Sequence, residues 1–493
     1  MTLEKSLRTS SGAALVTGLL VLCGCQGLTN TAPVSPTKSA GLQSINHIIF
    51  MAQENRSLDT YFGQLPAYWA ANGFPSQKFD GLPANASNPS FNGTTNVAAY
   101  HLATECFENV TPSWDESHLD WNLQNPTSST AAMNGFVYNA AKFAMDQTPP
   151  YSDTAGARAM GYYDSSDLNF YYFMASNFGT SDRWFSPAMD RTQINRMYLF
   201  AATSQGYAYP PGTDTADNAP ITATTIFDAL QKAGISWKVY YTDDICATGP
   251  PPSALDAGPR GGIARDSANA DAASNSGACT YLTQFAKYSP PNQLPSNVVP
   301  VSQYLKDVQN GTLPSVAFIE AGYMSSRDEH PNSTTNIQTG AAYAESLITP
   351  LMSSVSWKDS VFIMTYDEAG GTYDHVPPQP AVNPDGIAPK DLLPGDICTG
   401  GGSNCNFNYT GFRVPVLVIS PFSKKNYVSH TIADYTAILK LIETRFNVPA
   451  LTKRDAAQMD MTEFFDFQNV PWASAPSAPS QSTGGVCNAQ QLQ

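Results

Sequence analysis

Four short runs of apolar and mostly β-branched residues, at 48–51, 316–319, 361–365 and 414–419, constrain the fold more than any other feature of the chain. Successive residues of a strand point to opposite faces, so a strand that is apolar throughout must be covered on both sides. Segments with helical spacing lie between these runs. One spans 340–351; another spans 431–446, where Ile432, Tyr435, Ile438, Leu439, Ile442 and Phe446 form an apolar stripe that Asn447 and Pro449 end. Doubly buried strands alternating with helices predict an α/β fold with a mainly parallel sheet and helices on both faces. In such sheets the polar residues that carry chemistry sit just past the carboxyl ends of the strands.

Two of the runs end in ionisable residues. In HIIFMAQENRSLDTYFG, which begins at His47, the apolar stretch is cut short by Gln53, Glu54, Asn55 and Arg56. The run at 361–365 passes straight into YDEAGGTYDH, with Asp367 and Glu368 at its end, then a glycine pair, then Asp374 and His375. A core has no use for that density of charge. Glu54 and Asn55 offer hard oxygen donors suited to a divalent cation, and Asp367 and Glu368 offer more. For either pair alone the ordinary use is a helix cap or a solvated turn; together they supply about four ligands to one ion. Arg56 is expected either to contact phosphate or to pair with Asp59.

A nucleophile would have to come from elsewhere, and DRWFSPAMDRTQINR holds a hydroxyl, an amide and arginines in a compact loop before the helix-like MYLFAA. Thr192 at a helix entrance is ordinarily a cap. Placed beside a cation at a helix N-terminus, it would instead suit attack on phosphorus, because both stabilise oxyanions. Among six histidines, His118, His330, His375 and His430 lie in polar, proline-bounded segments, where an imidazole can serve a phosphate, a metal or only the surface.

With 26 basic and 41 acidic residues the net charge is −15, which repels nucleic-acid phosphates and argues against a nucleic-acid partner. The 37 prolines and 34 glycines point to long ordered loops, and 71–100 and 247–277 read as insertions. Residues 1–25 read as an export signal: Lys5 and Arg8, then AALVTGLLVLCGC, ending in a segment that resembles a lipobox with Cys25 as the lipidated residue. Plain secretion is the alternative. Residues 26–43 then form a Pro/Ser/Thr-rich tether, 44–460 the catalytic domain, and 461–493 a low-complexity tail on the surface or disordered. Setting aside Cys23 and Cys25, six of the eight cysteines remain. Proximity favours Cys398 with Cys405 and Cys246 with Cys279, leaving Cys106 with Cys487.

The chain resembles a family of bacterial phosphoesterases that includes phosphatidylcholine-type phospholipase C and related acid phosphatases, within the alkaline-phosphatase-like superfamily. The resemblance is carried by 47–63, ENVTPSWDESH around Trp114, GYYDSSDLNFYY from Gly161, the loop around Thr192, TIFDALQKAGISWKVYY from Thr225, DEHP at His330, YDEAGGTYDHVPP and FRVPVLVISPFS from Phe412. It implies an alkaline-phosphatase-like fold and one or more divalent metal ions held by Glu54, Asn55, Thr192, Asp367 and Glu368. Thr192 would be the nucleophile, and Asn195, His118 and His330 the phosphate-contacting and acid/base residues, with Arg196 beside them. Ile194 stands where the family's nucleophile motif has proline, and Asp190-Arg191 where Gly-Pro is usual, which alters the pocket. The extra C-terminal domains of the long phospholipases are missing. The expected activity is phosphoester hydrolysis of the phospholipase C type on a phospholipid, with a broad-specificity acid phosphatase as the alternative and a non-catalytic, metal- or anion-binding surface lipoprotein as the third reading. Lipidation at Cys25 would place it on a membrane of the cell envelope.

Overall fold

The apolar runs pair into one eight-stranded sheet in the computed structural model, which describes residues 41–211, 219–244, 278–289 and 292–493. Its strands are β1 (His47–Gln53), β2 (Gly179–Ser181), β3 (Trp237–Tyr241), β4 (Val298–Pro300), β5 (Val316–Ile319), β6 (Ser360–Tyr366), β7 (Val416–Ile419) and β8 (Tyr427–Ser429). Their spatial order is β8-β2-β7-β6-β1-β5-β3-β4. β1 lies between β5 and β6 and runs parallel to both. The pairs β5–β3, β3–β4 and β8–β2 are also parallel, whereas β7 runs antiparallel to both of its neighbours. The sheet is therefore mainly parallel, as the sequence implies. β7 begins two residues later than the apolar run, at Val416, because Pro415 has no N–H to give a ladder.

Every position of β6 is buried, and every position of β1 except His47. Both faces of the sheet centre are thus covered. The covering helices include α1 (Leu58–Phe62), α2 (Trp114–Trp121), α3 (Asn169–Asn177), α4 (Thr192–Ala201), α5 (Ile226–Ala233), α6 (Val301–Asn310), α7 (Ile337–Met352) and α8 (Ala437–Phe446). Six of them form two packed sets, α4 with α5 and α8, and α7 with α3 and α6. α7 starts a turn earlier than its apolar spacing suggests, because the Asn336 side chain accepts from Gln338 N at 2.8 Å. α8 starts later than expected. Ala433 and Asp434 pair with Trp184 and Phe185 as a short strand, and Asp434 Oδ1 then accepts from Thr436 N and Oγ1, competing with helix formation there.

The segment 71–100 contains a small antiparallel hairpin, Ser87–Pro89 with Asn96–Ala98. The insertion at 247–277, the export segment, Cys25, the tether as far as residue 40 and Cys246 lie outside the described residues. Among the described residues no helix is long and apolar enough to cross a membrane. The segment expected to begin a tail at 461 opens with core residues, since Met461 and Phe464 are fully buried. Residues 473–493 lack helix and strand but are tied down: Cys487 is bonded to Cys106, Ala103 N donates to Leu492 O at 3.0 Å and Glu105 N to Val486 O at 2.7 Å. Cys398 is bonded to Cys405.

α8 also carries a buried acid, Glu443. Burial, and then the neighbouring Asp455, push its carboxyl up to about 9. In the unfolded chain it ionises near the usual value of about 4.3, so the folded state holds a proton that the unfolded state has lost. Stability is therefore expected to fall as pH rises from about 5 toward 9. Glu443→Gln should remove this contribution to the slope; urea unfolding at pH 5 and pH 8 checks it, and identical slopes in the two proteins would refute it.

Candidate active site

Register alone brings the two charged strand ends together. β1 and β6 run in parallel with Gln53 opposite Tyr366, so the next residues, Glu54 and Asp367, leave the sheet side by side. Asp367 N donates to Gln53 O at 3.0 Å, and Asn55 N returns a bond to Asp367 Oδ1 at 3.1 Å. Asn55 turns the chain in the left-handed region, φ 66°, which asparagine tolerates better than most residues. Gly370 faces this turn at φ 71°, and a Cβ there would lie 2.4 Å from Asn55 O. The glycine pair of DEAGG is thus required by close backbone approach.

Thr192 is the first residue of α4, after Arg191 as N-cap. Its hydroxyl donates to Asn55 Oδ1 at 3.2 Å and also meets the Asp367 carboxylate. Thr192, Asn55 and Asp367 therefore converge. Glu54 joins them through Arg196, one turn along α4. The Arg196 guanidinium lies 3.3 Å from Glu54 Oε1 through Nη2, 3.3 Å from Asp367 Oδ2 through Nε and 3.8 Å from Glu320 Oε2 through Nη1. Tyr281 and Tyr323 flank the same guanidinium, their ring centroids 4.6 and 5.3 Å away. Arg196, expected near the phosphate, is the counter-charge of these acids.

Four carboxyl groups here have proton affinities shifted upward. Burial, then the Asp367 charge, raises Glu54 well above the usual range. Burial raises Asp367 too, opposed by Arg196 and by the two N–H groups it accepts. Burial likewise raises Glu320, just past the end of β5, and takes Asp328 up to about 7. Neither Glu320 nor Asp328 stood out in the sequence, although each follows the same rule of an acid beyond a buried strand or inside DEHP. The donors fit a hard divalent cation: carboxylate, amide and hydroxyl oxygens, shielded from water, with more negative charge than one guanidinium neutralises. Glu54, Asn55, Asp367 and Thr192 bring such oxygens together and could hold it. Glu368, expected in the same set, accepts from Gly370 N through Oε2.

The remaining expected residues are distributed more widely. Asn195 is fully buried, and its amide is taken up by the loop before α4: Nδ2 donates to Asp190 O at 2.6 Å, and Oδ1 accepts from Ala188 N at 3.0 Å. That loop shapes the approach to Thr192. His118, on α2, has Nδ1 2.7 Å from Trp114 O and Nε2 3.4 Å from Asn404 O, beside the Cys398–Cys405 disulfide. Burial takes its pKa down to about 4, so at neutral pH the ring is uncharged and carries its proton on Nδ1. None of its hydrogen bonds reaches the Thr192 cluster.

His330 has Nδ1 2.9 Å from Pro331 O. Burial, then the charge of Arg56, with Arg191 also acting, lowers it to about 4. The neutral ring thus donates from Nδ1 and keeps a lone pair on Nε2. Its loop is held by Glu329, which accepts from Tyr171 OH at 2.5 Å, Tyr366 OH at 2.8 Å and Gln53 Nε2 at 3.1 Å. Arg56 does not pair with Asp59. It donates to Tyr61 OH at 3.1 Å and Asn55 O at 3.0 Å, and its buried Nη2 has no hydrogen-bond acceptor. Asp59 belongs to a different cluster, 3.0 Å from Arg413 and 2.7 Å from His375 Nδ1, with Asp374 2.9 Å from Arg413. His430 is 2.9 Å from Asp182.

Residues 45–449 match the model of the Phosphoesterase family. Phospholipase C B of Mycobacterium tuberculosis is 31% identical over 467 residues, covering 88% of this chain and 80% of its own length. The non-hemolytic phospholipase C of Burkholderia pseudomallei is 29% identical over 482 residues, 90% of this chain and 62% of its own. Among solved structures, a protein in the alkaline phosphatase superfamily from Vibrio parahaemolyticus shares 12% identity over 81% of this chain and 78% of its own, with a TM-score of 0.32. At that score the likeness carries no argument.

Proposed function

The chain belongs to the Phosphoesterase family and is a phosphoester hydrolase, and we propose that it cleaves phospholipids in the phospholipase C manner with Thr192 as nucleophile. One observation carries the assignment: the Thr192 hydroxyl, at the first turn of α4, meets both Asn55 Oδ1 and the Asp367 carboxylate. With its single O–H directed at Asn55 Oδ1, the hydroxyl keeps its lone pairs for phosphorus and lies at the positive end of a helix.

In this reading Thr192 Oγ1, ionised with its proton released to solvent, attacks phosphorus in line, and solvent returns the proton when Oγ1 is later displaced. The bond from phosphorus to the glyceride oxygen breaks, leaving a phospho-threonine, and water then displaces Oγ1. Glu54, Asn55, Asp367 and Thr192 would hold a divalent cation, which would supply Lewis-acid stabilisation of the developing charge and favour the ionised hydroxyl. Arg56 offers its unused Nη2 to a phosphoryl oxygen, as an oriented donor in a buried setting. His330 transfers the proton, giving one to the departing alkoxide and later taking one from water. Its neutral ring suits the second task. For the first, a bound phosphate anion offsets the charges of Arg56 and Arg191 that hold its pKa down.

Purified protein assayed on p-nitrophenyl phosphorylcholine and p-nitrophenyl phosphate, before and after chelation, tests the reading. The diester is expected to turn over faster, with a loss of about 100-fold or more on chelation that a divalent cation restores. Preference for the monoester would make the enzyme a phosphatase. Activity indifferent to chelation would remove the metal from the mechanism.

A further inference from the structure

The motif GYYDSSDLNFYY has no part in the Thr192 cluster, yet it brings a second set of ionisable groups together. His101 Nε2 lies 2.8 Å from Asp167 Oδ2 and 3.9 Å from Asp164 Oδ2. One ligand atom from each of these three residues falls within 4.8 Å of the others. Glu105 stands behind Asp167, next to this group and not within it. It is only 7% exposed; Oε1 accepts from Gln338 Nε2 at 3.2 Å, while the buried Oε2 has no hydrogen-bond donor. Its carboxyl instead lies against that of Asp167, which is also buried. Two buried carboxylates in contact require a proton or a cation between them. Among the described residues, no lysine or arginine forms an ion pair with Glu105, Asp164 or Asp167.

We propose that His101, Asp164 and Asp167 hold a divalent cation at a structural site separate from the Thr192 cluster, with the Glu105 carboxyl against Asp167 as further negative charge behind it. One imidazole nitrogen with carboxylate oxygens suits Zn²⁺ or Mn²⁺ better than the all-oxygen shells of Mg²⁺ and Ca²⁺. The ion would fasten the C-terminal segment to the body of the protein. Gln481 Nε2 donates to Asp167 O at 2.7 Å, Gly485 N to Gln338 Oε1 at 2.9 Å and Glu105 N to Val486 O at 2.7 Å, one residue before the Cys106–Cys487 bond. Each of these contacts leads from Asp167 or its neighbour Glu105 to residues 481–487 within two side chains. The site would also brace the Asp164–Asp167 turn that opens α3.

The test loads full-length protein with zinc, removes excess by gel filtration, and compares wild type with the double variant His101→Ala, Asp164→Asn by metal analysis. Wild type should retain one zinc per chain more than the variant. Zinc should also raise the wild-type Tm and slow proteolysis within 473–493, and do neither in the variant. The reading of Thr192 is probed separately by Glu54→Gln, which should keep the site proposed here, so failure of either leaves the other standing. Equal zinc content in wild type and variant would overturn the proposal. Should the double variant not fold, His101→Gln serves in its place, because that side chain is 40% exposed and its loss removes one ligand without adding a buried charge.

Discussion

Thr192→Ala is expected to abolish turnover, lowering kcat on p-nitrophenyl phosphorylcholine by about 10³-fold or more. The fold should tolerate the change. Arg191, not Thr192, is the N-cap of α4, and the lost hydroxyl bond to Asn55 is worth about 1 kcal/mol. The decisive comparison is therefore kcat against Tm in the same preparation. Thr192→Ser keeps an oxygen at the same place and should recover a measurable part of the rate. If the alanine variant retained a tenth or more of wild-type activity, the covalent route through this residue would be wrong.

The second large effect is expected at Arg196. Its guanidinium is fully buried among Glu54, Asp367 and Glu320, so Arg196→Met leaves three acids without their shared counter-charge. Removing one partner of such a buried network costs about 3–5 kcal/mol. The sign of the pH dependence follows. With the arginine gone, burial raises the carboxyl pKa values further in the folded state than in the unfolded one. The deficit relative to wild type should consequently be smallest at pH 5 and should grow toward pH 8. A divalent cation held by the same acids should return part of the lost stability at pH 8. Urea unfolding at both pH values, with and without the cation, measures all of this. A variant as stable as wild type at pH 8 would show that the acids are compensated elsewhere.

Much of the architecture is legible in the chain. β1, β5 and β6 occur where doubly apolar runs are interrupted by polar residues, within one or two positions of the boundaries expected from those runs. The glycine pair after Glu368 is equally readable, and the structure supplies its reason in the approach of Gly370 to Asn55 O. Errors concentrate where side chains compete with the backbone. Asp434 holds 433–436 out of α8, and Pro415 shortens β7, both effects of single residues that an apolar stripe does not register.

The candidate site divides along the same line. Local sequence determined that Glu54, Asn55, Asp367 and Glu368 follow buried strands and that Thr192 opens a helix, because burial and periodicity are properties of neighbouring residues. Which of them meet was decided only by the tertiary structure. The register that sets Gln53 opposite Tyr366 joins positions 313 residues apart, and no local pattern encodes it. The fold likewise turned Glu368 onto Gly370 N and Asn195 onto the loop before α4, and it set Arg196 among the acids. A side chain's chemistry is written in the sequence, but its partner is chosen by whichever buried charge or open hydrogen bond the packed chain leaves within reach.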